Sequence, residues 1–273
     1  MTPRTYKPVR SILITISLLP CFLASQVQAA VTYWDPEGTF TPTAPSVAYT
    51  GQPSSQTPPV PGTLQGTWEN ANWSTASGGQ ATPVAWVEST AACFAVGGGS
   101  TNNPNGVPDS TVTFAVTMNT NHTVAGMFNG SLAPNSTHVT IQGAGTITWV
   151  AGNLNAMSMG TSSDGSTASI TINVPMIGGT TAGICAEQAG DFYLNGDSSG
   201  FAGGTYLGYN GSAFASGVWH FNNNLAFGTS PIILLNCIGG ALVTESSGIT
   251  ITNAVDIYNK YSPSVSVIGS TQT

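Results

Sequence analysis

From about residue 110 onward, apolar side chains recur at every second position. Val112, Phe114, Val116 and Met118 alternate with Thr111, Thr113, Ala115 and Thr117. Val139 and Ile141 alternate with His138, Thr140 and Gln142, and Ile147 and Trp149 with Thr146 and Thr148. Ile170, Ile172, Val174 and Met176 share one parity; Ile249, Ile251, Val255 and Ile257 form another such set, with Asn253 in phase. A period of two sends alternate side chains to opposite faces of a strand. One face here is apolar and the other is Thr, Ser and Asn, so each strand is packed on one side and wet on the other. No window beyond the N-terminal segment carries a sustained 3.6-residue apolar stripe, so almost no helix is expected.

Glycine and asparagine punctuate these runs at Gly143, Gly145, Gly152, Asp164-Gly165, Gly178-Gly179, Asn195-Gly196, Gly203-Gly204, Asn210-Gly211 and Gly239-Gly240. Such residues turn the chain tightly. A weak echo links residues 169–174 with 248–255, as stacked circuits would produce. Antiparallel sandwiches and parallel solenoids can both use these strands. The length of strand-rich sequence and the neutral polar face favour an all-β, right-handed parallel β-helix over residues 109–273, truncated at its C-terminus. Recurring Asn at turns is expected to stack in ladders.

The first ten residues hold Arg4, Lys7 and Arg10, followed by an apolar run and then Val27-Gln28-Ala29-Ala30. The run is about 13 residues, short of the ~20 that span a bilayer. Residues 1–29 therefore read as a secretory signal peptide, cut between Ala29 and Ala30. Without it the chain keeps Lys260 as its one cation against all 11 Asp and Glu, and no arginine. Nucleic-acid binding, phosphate recognition and attachment to anionic membranes all draw on cations, so these classes are excluded. Charged residues make up 5% of the chain, against about 25% in ordinary domains. Ser, Thr, Asn and Gly must cover the surface instead.

Residues 30–66 are rich in Pro, Thr and Ser and read as an extended linker or surface insertion. Residues 67–108 carry an aromatic cluster, Trp68, Trp73, Trp86 and Phe94, and a loose stretch from Gly97 to Pro108. Trp68, Trp73 and Trp86 have two readings. They plug the open end of the stack, where strands and core are otherwise exposed, or they stack on glycans. The plug is favoured. Cys93, Cys185 and Cys237 are too widely spaced for a metal or redox motif and read as small buried apolar residues, with a disulfide pair left open.

Tyr33-Trp34-Asp35 directly follows the N-terminal segment, and Gly66-Thr67-Trp68-Glu69-Asn70-Ala71-Asn72-Trp73-Ser74 comes next among the aromatic motifs. In these the chain resembles the autotransporter-associated β-strand repeat proteins of Gram-negative bacteria, the first being similar to that family's opening and the second to its "GTW…NWS" segment. Cys93-Phe94-Ala95, Gly200-Phe201-Ala202-Gly203-Gly204-Thr205, Leu225-Ala226-Phe227-Gly228-Thr229, residues 232–242 and Gly248-Ile249-Thr250-Ile251-Thr252-Asn253-Ala254-Val255 resemble its later strands and turns. The resemblance covers most of residues 31–257. It implies a parallel β-helix passenger that is exported and then displayed or released. The Pro-rich insertion before Gly66 is longer than the family pattern, and no barrel or sorting signal follows.

Catalytic signals are sparse. The carboxylate candidates for glycoside hydrolysis are Asp164, Glu187, Asp191 and Asp197, and two of them sit in turn-like Asp164-Gly165 and Asn195-Gly196-Asp197. His122, His138 and His220 are far apart, with no HxH or HxxxH pairing. No nucleophile elbow, phosphate loop or calcium nonapeptide occurs. The expectation is a non-catalytic secreted or outer-membrane-displayed structural or adhesive passenger with no cofactor. Its partners would be extracellular glycans or a host or neighbouring cell surface. The alternative is a carbohydrate-binding or carbohydrate-active β-helix module; carboxylates or aromatics gathered on one face would favour it.

Overall fold

The computed structural model describes residues 30–34, 62–75, 82–96, 112–131, 137–152, 154–159, 168–186, 190–207, 217–235, 241–258 and 266–268. Among them no helix occurs. The strands form two sheets. Sheet A holds β1 (Val31–Trp34), β3 (Trp73–Ser74), β4 (Thr90–Val96), β6 (His122–Ser131), β8 (Ile147–Trp149), β9 (Leu154–Met159), β11 (Met176–Ile177), β12 (Gly183–Ala186), β14 (Thr205–Leu207), β16 (Ile232–Leu235) and β18 (Val255–Tyr258). Sheet B holds β2 (Gly62–Thr67), β5 (Val112–Met118), β7 (Thr137–Gly143), β10 (Ser169–Ile172), β13 (Gly190–Leu194), β15 (Gly217–Phe221), β17 (Ala241–Thr244) and β19 (Ser266–Ile268).

From β12 onward the chain visits the sheets in strict alternation. Each visit adds a strand parallel to the one laid down on the previous visit; β1–β3 is the antiparallel exception among the described strand pairs. Parallel neighbours in one sheet need a crossover connection, and here the other sheet supplies it. The register stacks like on like. Phe114, Val139, Ile170, Phe192, Trp219 and Leu242 lie opposite one another on successive strands of sheet B, and all are buried. Each such side chain contributes about 1.5–3 kcal/mol by leaving water.

Two expected strands are shorter than their alternation: one ends early and one begins late. The parity of Ile170, Ile172, Val174 and Met176 continues, but β10 stops at Ile172 and Met176 opens β11 in the other sheet. The chain turns through residues 173–175 while Val174 and Met176 stay buried. Pro175 has no N–H for a ladder, and its carbonyl accepts from Ile147 N at 3.0 Å. Likewise Ile249 and Ile251 precede β18 in a corner, partly buried against the core. A corner that keeps the same residues facing inward preserves a period of two without being a strand.

The stack also begins earlier than expected. Val31–Trp34 is a strand paired with β4, and Gly62–Thr67 is paired along its length with β5. The stretch read as a Pro/Thr/Ser-rich segment thus lends a strand at each end; residues 35–61 between them, and the whole loop from Gly97 to Pro108, lie outside the described residues.

The expected asparagine ladder is present in part: Asn195 Nδ2 donates to Asn173 Oδ1 at 2.9 Å. Gly228 has φ +63°, and a Cβ there would strike the carbonyl of Phe201 one circuit away.

Candidate functional site

The outer face of sheet B is neutral over its first strands, where Thr113, Thr117, Thr140 and Thr171 lie half-buried between inward residues. The character changes at β13. Asp191 and Tyr193 on β13, Val218 and His220 on β15, Val243 on β17 and Glu245 just beyond it share this face. Tyr193, His220 and Val243 are in direct register. The Tyr193 and His220 rings stack with centroids 4.2 Å apart and planes 13° from parallel.

His220 Nδ1 hydrogen-bonds Glu245 Oε1, and Nε2 lies 3.7 Å from Asp191 Oδ1. A carboxylate only accepts, so Nδ1 carries a proton. Nε2 is beyond hydrogen-bond reach of Asp191. Burial, then the charges of Asp191 and Glu245, push the Tyr193 phenol up from its ordinary range. The result is a strip with two partly exposed carboxylates, an imidazole and a phenol. It can accept hydrogen bonds from hydroxyl or amine groups and offers aromatic surface beside them.

Two further clusters involve histidine. His138 Nδ1 lies 2.7 Å from the buried Ser169 Oγ across β7 and β10. Serine–imidazole contact is the first element of nucleophilic catalysis, which also requires a group to orient the base. Among the described contacts no carboxylate bonds His138. At the N-terminal end, His122 Nδ1 lies 2.7 Å from Glu88 Oε1, and Nε2 3.4 Å from Glu69 Oε1. Glu69 Oε1 also accepts from Asn119 N at 2.6 Å and Thr120 N at 2.7 Å. Burial alone would raise the Glu69 carboxyl, but the N–H groups of Thr120, Asn119 and His122, together with its own, outweigh it and hold the carboxyl below the ordinary range.

Trp68, Trp73 and Trp86, read above as a plug with glycan stacking as the less favoured alternative, lie inside the molecule. Trp68 and Trp73 are fully buried and Trp86 is 8% exposed. They pack on one another with centroids 4.6–4.9 Å apart, and Trp73 Nε1 donates to Trp68 O at 2.8 Å. With Trp34 and Phe94 they fill the end of the stack, where β3 and β2 are the terminal strands of the two sheets. Rings enclosed in this way have no face to lay on a sugar, so glycan stacking does not fall to them.

The remaining expected positions divide by location. Ala29 lies outside the described residues, and the exposed Ala30 accepts from Ala91 N at 2.8 Å. Asp164, Glu187 and Cys237 also lie outside them. Asp197 is exposed and caps its own turn through Ser199 N at 3.0 Å, as its Asn-Gly-Asp setting suggested. Cys93 and Cys185 are buried. They sit on β4 and β12, three strand steps apart in sheet A, or about 14 Å at the usual strand spacing. That excludes a bridge between them. Burial pushes the Cys93 thiol up to about 12. Among the described residues no group of three or more His, Cys, Asp or Glu is disposed to hold a metal ion.

Sequence reasoning singled out Asp191 but did not join it to Tyr193, His220 and Glu245. His220 and Glu245 are 25 residues apart, about one circuit of the stack. The signal that could have found the cluster was circuit length, which varies along the chain.

Comparison of the chain with protein-family models, curated protein sequences and solved structures found no match.

Proposed function

We propose that this chain is a non-catalytic passenger segment, folded as a right-handed parallel β-helix and secreted or displayed at the surface of a Gram-negative bacterium in a structural or adhesive role. One observation carries the reading: the chain returns alternately to two sheets, pairing in parallel with the preceding circuit. Such a stack grows along one axis and makes a stiff rod. Its outer rows are largely Thr, Ser and Asn, which suits a hydrated stalk outside the cell. The buried tryptophan cluster is read as its N-terminal cap. Residues 1–29 are read as the export signal.

The test is expression of the full chain in a Gram-negative host, with sequencing of the exported N-terminus and digestion of intact cells by added protease. The reading expects Ala30 as the first residue and cleavage from outside. A product that keeps Met1 and stays in the cytoplasm overturns it.

A second reading, a carbohydrate-binding or carbohydrate-active module, is favoured by the gathering of Asp191, Tyr193, His220 and Glu245 on one outer face. Retention of the purified chain on an insoluble polysaccharide, lost in Tyr193→Ala, supports binding. Release of soluble sugars would replace the non-catalytic reading with the carbohydrate-active one.

A further inference from the structure

We propose that the Glu69–His122–Glu88 contact is an acid-released latch that fastens the N-terminal aromatic cluster to the end of the two sheets. Glu69 follows β2 and Glu88 precedes β4, so the two carboxylates bracket the segment that carries Trp73 and Trp86. Both converge on His122, the first residue of β6. Glu69 adds the bonds from Asn119 N and Thr120 N and one at 3.2 Å from Thr120 Oγ1. Glu88 Oε2 adds Thr123 N at 2.5 Å. His122 is 9% exposed and stacks on Trp68 at 5.9 Å with 22° between planes. The latch therefore reaches directly into the cluster.

Among the described residues the groups that meet His122 are Glu69 from the segment after β2, Glu88 from the segment before β4, Thr120 from the β5–β6 turn, and Trp68. An imidazolium donates from both nitrogens and satisfies both carboxylates at once. Protonating the carboxylates removes the charge that holds these donors. A cation is then left in a largely enclosed site against Trp68 without its counter-ions, which is unfavourable. The rest of the stack is held mainly by ladders and an apolar core; its Asp191–His220–Glu245 contacts lie on the outer face, with both carboxylates partly exposed, and fasten no enclosed segment. Nor does acid build strong repulsion, because beyond the N-terminal segment Lys260 is the one Lys or Arg. The cluster is therefore the part that acid opens first.

The test is amide hydrogen exchange of the full chain between pH 7 and pH 3, corrected for intrinsic rates, with far-UV circular dichroism and tryptophan emission. On acidification, amides between Trp68 and Phe94 should lose protection by roughly tenfold or more, with a red-shifted emission, while β10–β16 stay protected. The double variant Glu69→Gln, Glu88→Gln should show the open cluster at pH 7 and little further response to acid. Simultaneous loss of protection in the cluster and in β10–β16 overturns the proposal. So does a variant that responds to acid as the wild type does. Should the variant fail to fold, the wild-type exchange profile decides alone.

Discussion

The imidazole of His220 lies flat against the ring of Tyr193, 4.2 Å away, because parallel register puts the two residues opposite each other on neighbouring strands. Cross-strand aromatic pairs contribute about 0.5–1.5 kcal/mol. Tyr193→Ala and His220→Ala should each lower stability by about that amount. In a double-mutant cycle read by urea unfolding their costs should fall short of additive.

The Tyr193 phenol is raised above its ordinary value, and burial raises Tyr33 and Tyr206 as well, Tyr33 with a smaller push from Cys93. For each, folding favours the protonated ring. That preference is present below the unfolded value of about 10 and is lost as pH climbs through the folded value. Stability should therefore fall above about pH 10, and Tyr193→Phe should soften the alkaline loss in a thermal scan.

Glu69 has the opposite sign. Its carboxyl is held low, so its contribution is present above the unfolded value of about 4.3 and disappears as pH falls through the folded value. The stability difference between wild type and Glu69→Gln should be largest near neutral pH and shrink toward pH 3, as read from denaturation midpoints.

Cys93 sits on β4 beside Tyr33 in register and is buried. A thiol pushed up to about 12 by burial supplies almost no thiolate at neutral pH. Iodoacetamide should leave it unmodified in the folded chain and label it promptly after denaturation. Prompt labelling of the native protein at Cys93, located by peptide mapping, would contradict the burial.

Core truncation should be costly where rings interlock. Trp73 contacts Trp34, Trp68, Trp86 and Phe94, and Trp73→Ala should cost about 3–5 kcal/mol. Gly228→Val should also destabilise, because φ +63° is strained for a β-branched residue and the Phe201 carbonyl occupies the space. Both are checked by thermal unfolding.

Much of this protein is legible in its sequence because burial writes a period of two into each strand. Phe114, Val116, Val139, Ile141, Ile170 and Ile172 could be assigned to the inward face before any contact was known, and they are buried. The aromatic cluster was also visible as a group, since Trp68, Trp73 and Trp86 are close in the chain. Where the strands stop was not visible. At Val174 and Ile249 the chain bends around a corner while still facing the core, and alternation carries no mark of that bend.

Composition and pattern by themselves determined strand-rich structure, an inward apolar face and a cation-poor exterior, because these depend on each residue and its near neighbours. Tertiary structure alone decided which strands meet. It put Asp191 and Glu245 on either side of His220, closed Glu69 and Glu88 onto His122, and kept Cys93 from Cys185. The reason is physical: partners across a parallel sheet are one circuit apart, and circuits differ in length with every turn, so no fixed spacing in the sequence records them.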